Sequence, residues 1–125
     1  MTVRLPAARA HPTGAPRVGD VYWVDTDACY GGNKKPTRPV VVVRAPNEPL
    51  LTDAIVMTRT SMDQIGAPHV KHPADIALGL DRNGLFVTTY QRRIDARFLA
   101  NPVYASFQGV LPEQILVAVA GLVGL

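Results

Sequence analysis

The residues best suited to chemistry in this chain are cations and hydroxyls. Arg38 stands where a basic, glycine-containing loop, Tyr30-Gly31-Gly32-Asn33-Lys34-Lys35, gives way to Pro39 and four consecutive valines. A guanidinium is always charged and offers a planar fork of donors that fits phosphoryl oxygens. A strand-end arginine paired with a surface acid would show the same pattern, so position alone leaves both roles open. Lys34 and Lys35 add point charges, and Tyr30 adds a ring able to stack on a base. The loop lacks the spacing of a nucleotide-triphosphate loop. Thr58 and Thr60 end the run Ala54-Ile55-Val56-Met57-Thr58-Arg59-Thr60. A hydroxyl at a strand end can donate to a developing oxyanion, and threonine is also an ordinary strand residue.

Other candidates are weaker. His69 and His72 suit acid–base work by type. Their spacing of three puts them on opposite faces of a strand, Pro68 and Pro73 bracket them, and no third metal ligand is in view. Cys29 is the one cysteine, so neither an intrachain disulfide nor a multi-cysteine metal site is available. It lies beside the basic loop, without a histidine partner that would make it a nucleophile.

The chain has 125 residues, enough for one domain, and a net charge of +3. The cations are clustered. No acid precedes Asp20, while Arg4, Arg9 and Arg17 do; none lies between Ala28 and Asn47, which hold Lys34, Lys35, Arg38 and Arg44. Arg92, Arg93 and Arg97 form a third group with Asp95 alone between them. Such clustering favours a polyanionic partner through steering and counterion release. With 47% hydrophobic and 18% charged residues a packed core is expected. The longest apolar run, residues 115–125, is too short to span a bilayer. Arg4, Pro6, Arg9, His11 and Pro12 interrupt any leader-like segment. A soluble, cytoplasmic protein is expected.

With 10 glycines and 11 prolines, short strands and turns are favoured over long helices. Residues 1–17 lack periodicity and read as a flexible arm, followed by a single domain over residues 18–125. Residues 18–25, Val-Gly-Asp-Val-Tyr-Trp-Val-Asp, read as a strand, with Trp23 as a core residue. Val40 to Val43 predict a strand buried on both faces, or on one face with a partner covering the other, with Pro39 at its start. Further strands are expected at 54–58, 69–72 and 85–90, with a turn at Asp81-Arg82-Asn83-Gly84 and one helical turn within 92–99. Pro112-Glu113-Gln114 open a terminal helix that is apolar on nearly every side. The elements amount to a bent antiparallel sheet with a C-terminal helix.

In this order the residues resemble the MazF/PemK family of toxin–antitoxin ribonucleases. The resemblance is carried first by Gly19-Asp20-Val21-Tyr22-Trp23-Val24-Asp25 and Thr37-Arg38-Pro39-Val40-Val41-Val42-Val43. It continues in the strand ending Thr60-Ser61, in Leu85 to Asp95, and in Gly109 to Gln114, covering roughly residues 18–123. It implies a mainly β fold with a C-terminal α-helix, a small SH3-like antiparallel barrel of the MazF/PemK/CcdB type. It also implies a homodimer, a cognate protein antitoxin lying across that dimer, and metal-independent, sequence-selective cleavage of single-stranded RNA. The substrate would be messenger, transfer or ribosomal RNA, cut to 2′,3′-cyclic phosphate and 5′-hydroxyl ends without a cofactor. Carried over residue by residue, Arg38 matches the catalytic arginine and Thr60 the threonine at the scissile phosphate, with Thr58 its rival. Tyr30, Asn33, Lys34 and Lys35 match the loop that closes over RNA, and Arg92 a basic position near the RNA groove.

One departure stands out. Many family members carry an acid in the loop before the arginine, whereas this loop has Asn33 and no acid. Proton transfer then falls to water, or the chain is an inactive relative that binds RNA or a partner. A non-catalytic toxin of the same fold, acting on gyrase through its terminal helices, is the remaining alternative.

Overall fold

Four valines in a row need apolar cover on both sides, and the protein provides two cores. In a computed structural model, residues 16–29, 31, 37–45, 53–60 and 68–123 are described. The candidate residues Tyr30, Asn33, Lys34 and Lys35, and residues 1–15 of the expected arm, lie outside this set. Strand β1 (Asp20–Asp25) is followed by one helical turn, α1 (Thr26–Cys29), and then by β2 (Thr37–Arg44), β3 (Ala54–Thr60) and β4 (His69–His72). A 3₁₀ turn at Ile76–Leu78 precedes the long β5 (Gly84–Ile94), a single helical turn α2 (Ala96–Leu99), β6 (Ala105–Val110) and the terminal helix α3 (Glu113–Val123).

The strands form one antiparallel sheet in the order β4-β5-β3-β2-β1-β6. It is bent by register shifts in the β1–β6, β2–β3 and β3–β5 pairings. The sheet does not close into a complete barrel: β4 and β6 are its two edges. Pro68 and Pro73, which lack an N–H to donate, bracket β4 and hold it to four residues. His69 and Lys71 are exposed on this edge strand, as edge strands in soluble proteins commonly require.

Alternation along β2 divides the valines between the two cores. Val40 and Val42 join Tyr22, Val24, Val56, Ile94 and Leu99 on one face. Val41 and Val43 join Val21, Met57, Leu80, Phe86 and Val119 on the other. Fully burying a valine stabilises by roughly 1.5–3 kcal/mol, so β2 anchors the whole sheet. A one-residue slip would exchange its two faces.

The second core is roofed by α3 and by the segment leading into β5. Only Val119 of α3 is fully buried; Ile115, Leu116 and Val123 are half-buried against the sheet, and Val117, Ala118 and Gly121 face outward. Entry to the sheet is tied down at Gly19. Its N–H donates to Val42 O (2.8 Å), its carbonyl accepts from Leu111 N (2.9 Å), and its φ of +95° suits glycine. Any Cβ there would come within 2.9 Å of Leu116. Cys29 is buried, with its Sγ 3.8 Å from Tyr104 O. Burial, and then the charge of Asp25, push its thiol up to about 12, which keeps it protonated and unreactive near neutral pH.

Candidate active site

Pro39 determines where the site opens. It sits third in β2, opposite Trp23 of β1, and pairing between β2 and β3 begins only at Val40↔Thr58. On the β3 side, therefore, no ladder bond is asked of the proline nitrogen. Extending that register by two residues sets Arg38 level with Thr60. Beyond the last ladder pair the two strand ends border a cleft of about 240 Å³, lined by Trp23, Thr37, Arg38, Pro39, Arg59, Thr60, Leu80, Asp81 and Arg82.

The structure thus brings Arg38 and Thr60 together. Arg38 is half-exposed at the cleft wall and Thr60 is buried in it. Thr58 is also buried, but it does not border the cleft. Two residues that the strand pattern leaves equivalent are separated in this way. Arg92 lies elsewhere. It is exposed on β5 opposite Val56, four residues along β3 from Thr60, or roughly 13 Å at the strand rise. Its Nη1 donates to Gln91 O at 3.0 Å. Trp23, expected in the core, does pack against the second core and also lines the cleft. Its Nε1 is buried without a hydrogen-bond partner among the described residues.

Arg59 is the main site residue that sequence reasoning passes over. It is 6% exposed, a guanidinium inside the protein, and burial of that kind is rare unless the group is hydrogen-bonded on all sides. Its Nε donates to His72 Nδ1 (3.1 Å). Its Nη2 donates to the carbonyls of His72 (3.0 Å), Arg82 (2.6 Å) and Pro73 (3.4 Å). Burial draws its pKa down, while the charges of Asp75 and Asp81 oppose that shift. Gly84 makes room for it, because a Cβ there would stand 2.6 Å from the guanidinium carbon.

These bonds give residues 73–83 the character of a strap. Asp75 and Leu80 exchange backbone hydrogen bonds (2.7 and 2.9 Å) across the 3₁₀ turn. Asn83 Oδ1 accepts from Ala74 N (2.9 Å), and Arg59 holds the strap at both ends. The strap delivers Leu80, Asp81 and Arg82 to the cleft wall. A sequence signal for it existed in Arg59, the one charged residue of β3.

His72 is buried, with its ring stacked on Phe86 at 5.5 Å between centroids. Burial first, then Arg59, lower its pKa against the opposing pull of Asp75. It does not border the cleft. His69 is exposed, so the two histidines do face opposite sides. Among the described residues, no group of three His, Cys, Asp or Glu side chains is placed to hold a metal ion. Among them also, no helix is long and apolar enough to cross a membrane.

Among the described residues, three arginines, one carboxylate and two threonine side chains therefore line one cleft at the end of the β2–β3 pair. Their net charge suits an anion, and the forked donors suit phosphoryl oxygens. The architecture around them has known counterparts. Two crystal structures of MazE–MazF from Deinococcus radiodurans, in different crystal forms, match this chain with TM-scores of 0.62 and 0.60. Both are 21% identical to it, over 88% of this chain and 92% and 93% of theirs. The fold is that of MazF. No protein-family model matches the sequence, and no curated protein matches it. The MazF fold thus bears out the antiparallel sheet with a C-terminal helix that the residue order implies, here with the sheet open at β4 and β6.

Proposed function

We propose that this protein is the toxin of a toxin–antitoxin pair and an endoribonuclease that cuts single-stranded RNA by internal transesterification. The observation that carries the reading is the meeting of Arg38 and Thr60 at one cleft. These are the two residues whose types match the family's catalytic arginine and threonine. Cleavage requires stabilisation of a phosphorane whose charge grows as the 2′-oxygen attacks. Arg38 presents a charged fork to two of its oxygens and Thr60 a hydroxyl to a third. Arg82 at the rim adds charge toward the flanking phosphates.

The same reading gives the protein a second copy of itself and an antitoxin. Val117 on α3 is 64% exposed and Val110 at the end of β6 is 56% exposed. Ala118 and Gly121 extend the apolar outer face of α3. A homodimer formed there would cover them. The two Deinococcus radiodurans structures compared above are of MazE–MazF, which supports a cognate antitoxin as partner.

A second reading, RNA binding without cleavage, is favoured by Asn33 and the lack of any acid between Ala28 and Asn47. One experiment decides between them. A long RNA is incubated with the protein in EDTA and its ends are mapped. The proposal expects discrete cuts with cyclic-phosphate and 5′-hydroxyl ends, absent with Arg38→Ala. Intact RNA that is nonetheless bound supports the second reading.

A further inference from the structure

The reaction needs a group that removes the proton from the 2′-hydroxyl, and neither residue assigned so far can do so. Arginine stays protonated to a pH above about 12, and a threonine hydroxyl is no base near neutrality. The loop before Arg38 offers no acid. The strap offers one. We infer that Asp81 is the general base of this site, an inference that rests on the endoribonuclease reading above.

Among the described residues that line the cleft, Asp81 is the one carboxylate, and the cleft also holds Arg38 and Thr60. It is exposed, so RNA and water both reach it. Its backbone is pinned on both sides. Leu80, 2% exposed, is locked to Asp75 by two backbone hydrogen bonds, and the Arg82 carbonyl accepts from Arg59 Nη2 at 2.6 Å. A carboxylate on so constrained a peptide is held in place without being buried, as a base that must meet substrate requires. Asp81 and Arg59 both line the cleft, and Arg59 Nη2 donates to the carbonyl of Arg82, the residue that follows Asp81. Arg59 is thereby a positioning residue: it grips the strap that carries Asp81.

The step balances simply. Asp81 takes the proton from the 2′-hydroxyl, and the freed oxygen pair forms the bond to phosphorus. The bond from phosphorus to the 5′-oxygen breaks, and that oxygen takes a proton from water. Asp81 then returns its proton to solvent. No oxidant, reductant or metal enters the sum.

Asp81→Asn and Asp81→Glu test this in single-turnover cleavage of an RNA containing a mapped cut site, followed across pH. A 2′-O-methyl version of the same RNA, which cannot be cut, reads binding. Asp81→Asn is expected to slow cleavage about 100- to 10,000-fold, to lose the rise in rate from acid toward neutral pH, and to bind the uncut probe as the wild type does. Asp81→Glu is expected to restore part of the rate and the rise. Asp81→Asn cleaving at the wild-type rate with the wild-type pH profile overturns the assignment and leaves the ribonuclease reading intact. Loss of probe binding by a folded Asp81→Asn also overturns it, since Asp81 would then hold RNA rather than accept the proton. A wild type that cuts nothing at any pH overturns both readings together.

Discussion

Arg59 donates through Nε to Nδ1 of His72, 3.1 Å away, inside the protein. Because Nδ1 accepts, the imidazole is neutral and carries its proton on Nε2, which faces Asp75 Oδ2 at 3.7 Å. One ring proton thus determines whether a buried guanidinium keeps its partner.

That relationship makes stability depend on pH. Burial, then Arg59, lower the folded-state pKa of His72 from 6.5. Below about pH 6.5 the unfolded chain therefore binds a proton that the folded chain refuses, and stability rises with pH in this window. It is complete above the unfolded value and is lost as pH falls toward the folded one. Urea unfolding between pH 5 and 8 is expected to show this loss in the wild type and to show it reduced in His72→Asn. Equal slopes for the two proteins would remove His72 as the cause.

Gly84 and Arg59 share one space. Gly84→Ala is expected to cost about 1–3 kcal/mol, as overpacking does. In an Arg59→Met background it is expected to cost much less. Arg59→Met alone is expected to lose about 1–3 kcal/mol, because His72 Nδ1 and the carbonyls of His72 and Arg82 lose their donor. Denaturation of the four proteins gives the coupling directly. Additive losses would mean that the cost of Gly84→Ala does not come from the Arg59 guanidinium.

Arg38→Lys is expected to impair cleavage nearly as much as Arg38→Ala, although it keeps the charge. A lysine cannot present two parallel donors, and losing one well-placed donor to a transition state costs roughly 100- to 1,000-fold in rate. RNA binding is expected to fall far less. Thr60→Val is expected to show the same pattern at smaller size, and Thr58→Val to leave the rate near that of the wild type. Wild-type turnover by Arg38→Lys would reduce Arg38 to a residue that gathers RNA.

The outer face of α3 predicts an assembly. Val117 is 64% exposed beside exposed Ala118 and Gly121. Sedimentation of the wild type at micromolar concentration is expected to give a dimer, and Val117→Lys a monomer with unchanged thermal stability of the subunit. A monomeric wild type would count against the dimer.

Much of this was legible where burial and chain pattern agree. Four valines announced a two-faced strand, and the Pro112-Glu113-Gln114 start announced α3, because each signal is local. β6 was not legible. Its Ser106 and Gln108 are polar yet buried, satisfied by Gln108 Nε2 donating to Ser106 O and Oγ, so the strand shows no apolar alternation. The site was half legible. Arg38 and Thr60 sit at strand ends that the sequence marks. Arg59 is explained only by acceptors at positions 72, 73 and 82. Asp81 read as part of a turn until the strap carried it to the cleft.

The order of strands has a consequence for the newborn chain. β1 lies between β2 and β6, and β6 is the last of the described strands to leave the ribosome. Arg38, Thr60, Asp81 and Arg82 have all been made by then, while one edge of β1 still waits for the pairs Tyr22↔Phe107 and Val24↔Ala105. Closing so long a span is entropically slow and leaves an unpaired edge exposed meanwhile. A ribosome that halts before residue 105 therefore releases a chain with every described candidate catalytic side chain and no finished sheet to hold them. Translation itself thus delays the appearance of the folded protein.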